Sequence, residues 1–315
     1  MSTVTNESQT VQPLVVAVVL NWNNPADTVE CVKSLQRATY HNLETVIVDN
    51  GSRDDSVPRF RQAFPELRLI ETGQNLGYAG GNNIGIQHAL SLGAAYVFIV
   101  NNDVTVAPET VSCLVDAAEQ HKEAAATGPL VFRQDQPTRL YAAYGSVDYS
   151  EAIVKLRGRN ADNYRQLSTI TAVDWVLGCA ILLRRDAVED VGSFDERFFA
   201  YHDEVEWCTR ARKKGYTILL VPTARVWHVG QSSTGGERYA SAKRYFIGRN
   251  SVLFAKKHAT FRQWVKFVTL FFLSLPFALL RELPRGQARG VFLKLRGFWD
   301  GIMGNEPPLE RLGLR

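Results

Sequence analysis

The chain of 315 residues is 45% hydrophobic and 22% charged, with a net charge of +4. This ordinary balance excludes collagen-like, disordered and disulfide-scaffold classes and leaves room for one large α/β domain with an appendage. The average hides a division: residues 1–232 carry 21 Lys/Arg against 27 Asp/Glu, a charge of −6, and residues 233–315 carry 15 against 5, a charge of +10.

Residues 1–12 are a polar lead-in, expected to be disordered, with no basic segment ahead of the first apolar run and so no signal-peptide pattern. Leu14–Leu20 (LVVAVVL) is continuously apolar, as expected of a strand buried on both faces. Pro25 opens a helix to about Arg37, Leu43–Val48 is a second strand, and a helix from about Asp54 to Ala63 leads into strand Leu67–Ile70. Gly77–Leu92 reads as a helix and Ala95–Val100 as a fourth buried strand. This alternation predicts an α/β fold with a mostly parallel central sheet and helices on both faces. Further on, Trp175–Leu183 reads as a strand entered by Trp175 and Gly178, Asp203 to Gly215 as a helix with a glycine C-cap, and Tyr216–Val221 as a strand. The cysteines Cys31, Cys113, Cys179 and Cys208 lie far apart without a CxxC pair, so reduced thiols are expected rather than a zinc site or disulfide framework.

In such sheets ligands bind beyond the strand C-termini. Polar clusters stand there: Asn21-Trp22-Asn23, Asp49-Asn50 and Asn101-Asn102-Asp103. Each alone is also ordinary turn chemistry; three in register point to a nucleotide site. Asp103 could supply an oxygen ligand to a divalent cation bridging a diphosphate, Asn102 could bond a ribose hydroxyl, Asp49 could accept a base N–H, and Trp22 offers a stacking face. Asn75 to Gly85 (NLGYAGGNNIG) sets Gly77 and Gly81 at a helix start, where backbone approaches phosphate closely or simply turns; the GxGxxG spacing is absent. Asp203 and Glu204 open their helix and either complement its dipole or, as adjacent acids that raise each other's pKa, supply a general base. His228 is a lone histidine, more often structural than a ligand, followed by Gly230–Gly236, a plausible lid.

In the basic tail, Phe267–Leu280 (FVTLFFLSLPFALL) runs 14 residues without charge, shorter than the roughly 20 a spanning helix needs, and Pro276 interrupts it. Lys256, Lys257, Arg262 and Lys266 precede it, and Arg281, Arg285, Arg289, Lys294 and Arg296 follow. An apolar stretch between cations fits a helix lying in an anionic membrane surface; the alternative is a core helix with a basic rim. No nucleic-acid partner is expected.

The segments VVLNWNN, VIVDNGSRDDS, NLGYAGGNNIG, VFIVNNDV, WVLGCAILLRRDAVEDVGSFDERFFAYHDEVEWCTRARKKGY and VWHVGQSS, in that order over residues 14–233, resemble inverting family 2 glycosyltransferases of the GT-A fold, in the rhamnosyltransferase-like and galactofuranosyltransferase-like branch. The resemblance implies a GT-A domain over residues 13–235 and a helical, membrane-proximal extension over 236–315. It implies that Asn21, Trp22 and Asp49 hold the nucleotide, and that Asn75, Gly77, Gly81 and Asn83 face the donor. Asn102-Asp103 stands at the DxD-type motif, keeping only its last acid, with Asp103 and His228 as ligands of Mg2+ or Mn2+. Asp203-Glu204 stands where most relatives have Glu-Asp with the second acid as base; by position that is Glu204, with Asp203 as the alternative. Trp175, Gly178 and Trp207 would shape the acceptor side.

The expected activity is inverting transfer of a sugar, foremost L-rhamnose from dTDP-rhamnose, to a hydroxyl of a glycan or polyprenyl-linked acceptor in cell-surface polysaccharide synthesis. The expected place is cytoplasmic, at the inner face of the membrane. Alternatives are UDP-hexose or UDP-galactofuranose transfer, a nucleotidyltransferase, or a non-catalytic membrane-bound sugar-nucleotide binding protein. A nucleotidyltransferase would carry a basic glycine-rich loop after strand one, where NWNNP stands.

Overall fold

The structure, a computed structural model, describes residues 12–159, 166–229 and 237–314. Nearly all of the lead-in and the loop Gly230–Gly236 lie outside these residues.

Strand β1 (Val15–Asn21) is flanked in parallel by β2 (Leu43–Asp49) and β4 (Tyr96–Asn101), and β3 (Arg68–Glu71) lies outside β2. Valine repeats fill β1 because both of its faces are covered. Helix α3 (Gly77–Ser91) lies directly on it: a Cβ added at Gly81 would come 2.5 Å from Leu20, and one at Gly85 would come 2.2 Å from Val18. Helices α1 (Pro25–Gln36) and α2 (Ser56–Ala63) complete this half as expected. Since β1 leads outward to β2 and β3 while β4 returns on its other side, strand order reverses between β1 and β4. The C-terminal edge there is the place for a ligand.

The remaining sheet is mixed. After β5 (Val104–Val106) and α4 (Thr110–Gln120) come β6 (Ala124–Arg133), β7 (Leu140–Ala142), the hairpin β8 (Tyr144–Val147) and β9 (Val154–Arg157), and β10 (Thr171–Ala172). Strand β11 (Ala180–Arg184) inserts antiparallel between β4 and β6, and β12 (Thr217–His228) runs parallel to β6. Two sequence expectations change. The strand expected over Trp175–Leu183 begins only at Ala180, because Trp175 bridges to Gly145 of the hairpin and the chain turns at Gly178. The strand expected to end at Val221 continues through an irregularity to His228, where it pairs with β5.

Helix α5 (Arg185–Val191) and helix α6 (Asp203–Lys213) precede β12. The C-terminal region is helical: α7 (Glu237–His258), α8 (Phe261–Glu282), α9 (Ala288–Met303) and α10 (Leu309–Leu312). Helices α7 and α9 meet backbone to backbone: Cβ atoms added at Gly248 and Gly297 would fall 2.0 Å from Lys294 O and 2.1 Å from Tyr245 O. Helix α8 opens on a capping box of Thr260 and Gln263 and continues unbroken through Pro276. The stretch Phe261–Arg285 is therefore one helix of 25 residues, long and apolar enough to cross a membrane by length and composition, contrary to the short segment expected. It is not a core helix: Phe267 and Phe271 are buried, but Phe277 and Leu280 are 73% and 75% exposed.

Candidate active site

A cavity of about 630 Å³ opens at the C-terminal edge of β1 and β4. Trp22, Asn75, Gly77, Asn102, Trp175, Gly178, Asp203, Glu204 and His228 all line it, although they are spread over 206 positions of sequence. Among the candidates, Asn21, Asp49, Gly81, Asn83, Asp103 and Trp207 do not.

The reasons are physical. Asn21 and Asp49 satisfy each other beneath the edge: Asn21 Nδ2 donates to Asp49 Oδ1 at 2.8 Å, and Ser52 N donates to Asp49 Oδ2 at 3.0 Å. Thr28 Oγ1 donates to Asn21 Oδ1 at 2.8 Å, and Asn102 Nδ2 donates to Thr28 at 3.0 Å, so the edge is a buried polar lattice. Asp49 thus has one protein donor on each oxygen, which fixes its orientation beneath the edge and leaves a lone pair on each for a further donor. Gly81 is the close-packing glycine of α3 on β1. Asn83 ties α3 to the segment ahead of α6, bonding Phe194 O at 3.0 Å and Glu196 Oε1 at 2.9 Å. Trp207 is 1% exposed, with Nε1 donating to Gly192 O at 2.7 Å, so it is core and not acceptor wall. Gly77 reaches the cavity, but its φ of +73° and the 2.3 Å from its added Cβ to Phe199 O explain it as a required glycine.

Pairing of β5 with the end of β12 brings Asp103 to His228: His228 Nε2 lies 3.1 Å from Asp103 Oδ1. Ligands at about 2.1 Å around an octahedral cation stand about 3 Å apart, so this spacing suits adjacent positions on one ion. His228 Nδ1 is buried without a hydrogen-bond partner among the described residues, and the ring meets Tyr141 edge-on at 5.4 Å. Among the described residues no group of three or more acidic, His or Cys side chains could hold a metal. The pair could hold a divalent cation only with further oxygens from a ligand.

Opposite stands the carboxylate pair. Asp203 is 1% exposed; burial, together with the adjacent Glu204 charge, pushes its carboxyl well above the usual range. Burial also raises Glu204, but hydrogen bonds from Asp203 and from backbone N–H groups including those of Val205 and Gly178 favour its anion. Both side chains line the cavity, and burial raises both carboxyls above the usual carboxylate range. Gly178 makes room for Glu204, since an added Cβ would lie 3.2 Å from Glu204 Cγ and 3.0 Å from Tyr78 Oη. Tyr78 Oη in turn donates to Gly178 O at 2.6 Å.

The turn before α6 is strained: Phe199, Tyr201 and His202 have φ of 62°, 69° and 69°. It is held from the C-terminal region. Asn250 of α7, fully buried, donates through Nδ2 to Phe198 O, Ala200 O and Tyr201 O at 2.8, 2.8 and 2.7 Å. Sequence reasoning missed Tyr78 and Asn250. The one available signal for Asn250 was a lone amide on an apolar stretch of helix.

The chain was compared with known proteins. Residues 16–192 match the model of glycosyl transferase family 2, more than half of the chain. The N-acetylglucosaminyl-diphospho-decaprenol L-rhamnosyltransferase of Mycobacterium tuberculosis is 32% identical over 224 residues, covering 64% of this chain and 71% of that protein. The dTDP-rhamnosyl transferase RfbF of Shigella flexneri is 23% identical over 252 residues, covering 77% and 80%. The fold is similar to that of a mannosyltransferase from Pyrobaculum calidifontis, solved with GDP-Man and Mn2+, at a TM-score of 0.57 and 16% identity over 94% of this chain and 89% of that one. The sheet, with its edge site between β1 and β4 and its carboxylate pair, is a GT-A fold, and the chain belongs to glycosyl transferase family 2.

Proposed function

We propose that this enzyme transfers L-rhamnose from dTDP-rhamnose, with inversion, to a sugar hydroxyl of a polyprenyl-diphosphate-linked glycan at the cytoplasmic face of a membrane. The observation that carries it is a buried carboxylate pair, Asp203 and Glu204, on the wall of a cavity at the β1–β4 edge that His228 and Trp22 also line. The donor and acceptor follow the names of the two relatives, one acting on a diphospho-decaprenol acceptor and the other using dTDP-rhamnose.

The donor nucleotide lies along Trp22, Asn75 and Asn102, its ring face on Trp22. Asp103 and His228 hold Mn2+ or Mg2+, which when bound neutralises charge on the departing diphosphate. The acceptor sugar enters past Trp175. Glu204 takes the proton of the acceptor hydroxyl as that oxygen forms its bond to the anomeric carbon and the carbon–oxygen bond to the diphosphate breaks on the opposite side. Asp203, its carboxyl raised by burial and by the adjacent Glu204 charge, stands beside the base on the same cavity wall. No enzyme nucleophile is needed, because a single displacement inverts the centre. The exposed apolar side of α8 and its basic neighbours rest on an anionic bilayer.

The test is Glu204→Gln. It leaves dTDP binding in the presence of Mn2+ intact and lowers turnover of dTDP-rhamnose by three orders of magnitude or more; turnover within tenfold of the parent would exclude Glu204 as the base.

A further inference from the structure

The cavity wall away from the β1–β4 edge is basic. Lys155, Arg157 and Arg159, on β9 and the turn after it, line the cavity together with Lys243 of α7. Two of the four are committed to the protein: Lys155 pairs with Asp148, and Arg157 Nε donates to Ser146 Oγ at 2.8 Å. Arg159 and Lys243 have no ion pair among the described residues. Lys243 Nζ sits 5.5 Å from the centroid of the Tyr201 ring, two residues ahead of Asp203, and both cations line the same cavity as the carboxylate pair.

The positive charge continues outward. Burial lowers the Lys243 pKa, and the charges of Arg159 and Arg244 lower it further. Burial takes Lys294 of α9 down to about 8, with Glu151 opposing and Arg244 and Arg281 adding to the fall. Lys243 thus lies near Arg159 and Arg244, and Lys294 near Arg244 and Arg281. Against these five cations stand two acids, Glu151 and Glu282, the latter 2.9 Å from Arg281 and 4.0 Å from Arg244. Five cations against two acids leave an excess of positive charge, held at a cost that a polyanion relieves. The row ends at Arg281, where α8 exposes Phe277, Leu280 and Leu283.

A sugar-accepting cavity, a run of cations that outnumber their acids and an exposed apolar helix end, in that order, match the parts of one molecule: a sugar, a diphosphate and a lipid chain. We infer that Arg159 and Lys243, backed by Arg244 and Lys294, form a subsite for the diphosphate of a lipid-linked acceptor. The inference rests on the transferase reading above and adds the residues that recognise the acceptor. It differs from donor recognition, for which Asp103 and His228 stand at the sheet edge, and from general adhesion to anionic headgroups, because Arg159 and Lys243 face into the cavity.

The experiment uses the full chain and the double variant Arg159→Ala/Lys243→Ala, whose side chains make no hydrogen bond or ion pair among the described residues. Rates are measured at saturating dTDP-rhamnose and Mn2+ with two acceptors, a short-chain GlcNAc-diphosphoprenol and benzyl N-acetylglucosaminide, which lacks phosphate. The expected result is a KM for the diphosphate acceptor at least tenfold higher, with kcat/KM for the phosphate-free acceptor, the Kd for dTDP and flotation with phosphatidylglycerol vesicles all within twofold of the parent. An equal loss with both acceptors, an unchanged KM, a matching loss of dTDP affinity, or a loss confined to vesicle flotation would each overturn it. Calorimetric titration of the diphosphate acceptor, without donor, separates the two readings. If the parent turns over neither acceptor, the transferase reading fails, while a tenfold weaker Kd in the double variant still supports the diphosphate subsite and an equal Kd overturns it.

Discussion

Replacing Asn250 by Ala tests whether the C-terminal helices are part of the catalytic apparatus. One amide supplies two N–H hydrogens to three carbonyls of the turn 198–201. A buried acceptor left without a partner costs about 1–3 kcal/mol, so losing the two hydrogens costs about 2–6 kcal/mol. That is enough to lower Tm by roughly 5–10 °C. The greater effect is expected on turnover. Three non-glycine residues in the left-handed region each store on the order of 1–3 kcal/mol, and without Asn250 the turn relaxes and carries Asp203 and Glu204 with it. A displacement of about 1 Å costs about 10²-fold in rate. The assay is kcat at saturating dTDP-rhamnose, read beside dTDP affinity and hydrogen–deuterium exchange of residues 198–206. The expected outcome is kcat down about a hundredfold, dTDP Kd within threefold, and faster exchange confined to this segment. Because His202 occupies a left-handed position, His202→Gly in the Asn250→Ala background should recover about tenfold of kcat by removing strain. A kcat within twofold of the parent, or exchange that rises equally across β1 and β4, would refute the reasoning.

Asp203 predicts a pH dependence of stability. Its pKa is raised by burial, so between the unfolded value near 3.9 and the folded value the native chain holds more protons than the unfolded one, and stability falls as pH rises. Asp203→Asn removes that slope: the Tm difference between variant and parent should widen in the variant's favour from pH 4.5 to pH 8, and a constant difference contradicts it. Gly178→Ala puts a methyl against Tyr78 Oη and Glu204 Cγ. We expect kcat to fall about tenfold or more while stability changes by less than about 2 kcal/mol; equal kcat would show that Glu204 yields freely. In His228→Ala the rise in Tm that Mn2+ and dTDP together give the parent should shrink to that of dTDP alone, since the ion in the proposed site would lose one of its two protein ligands. A full Mn2+ response in the variant would place the ion elsewhere.

Much of the fold was legible because its signals are local. Valine-rich β1, the Pro25 start of α1, the glycine-opened α3 and the acid-headed α6 each carry their pattern within a dozen residues. The polar clusters after β1, β2 and β4 were legible too, since a parallel sheet obliges its strand ends to lie at one edge. What periodicity cannot carry is which polar side chain faces the ligand and which is consumed by the protein. Asn21 and Asn102 stand in similar places after their strands, yet only Asn102 reaches the cavity, because Asn21 bonds Asp49 and Ser52 below it. Trp207, one helical turn beyond the carboxylate pair and on the same helix face, is covered by the segment at Gly192 and does not reach the cavity.

The sequence by itself determined the alternation of strands and helices, the acidic body and basic tail, and the motifs that mark a family 2 transferase. Local propensity and composition suffice for these. Only tertiary structure decided the rest: that Asp103 and His228, 125 positions apart, lie 3.1 Å from one another, that burial raises the Asp203 carboxyl, and that α7 braces the turn leading into the carboxylate pair. Such properties depend on burial and on partners distant along the chain, and a linear pattern encodes neither.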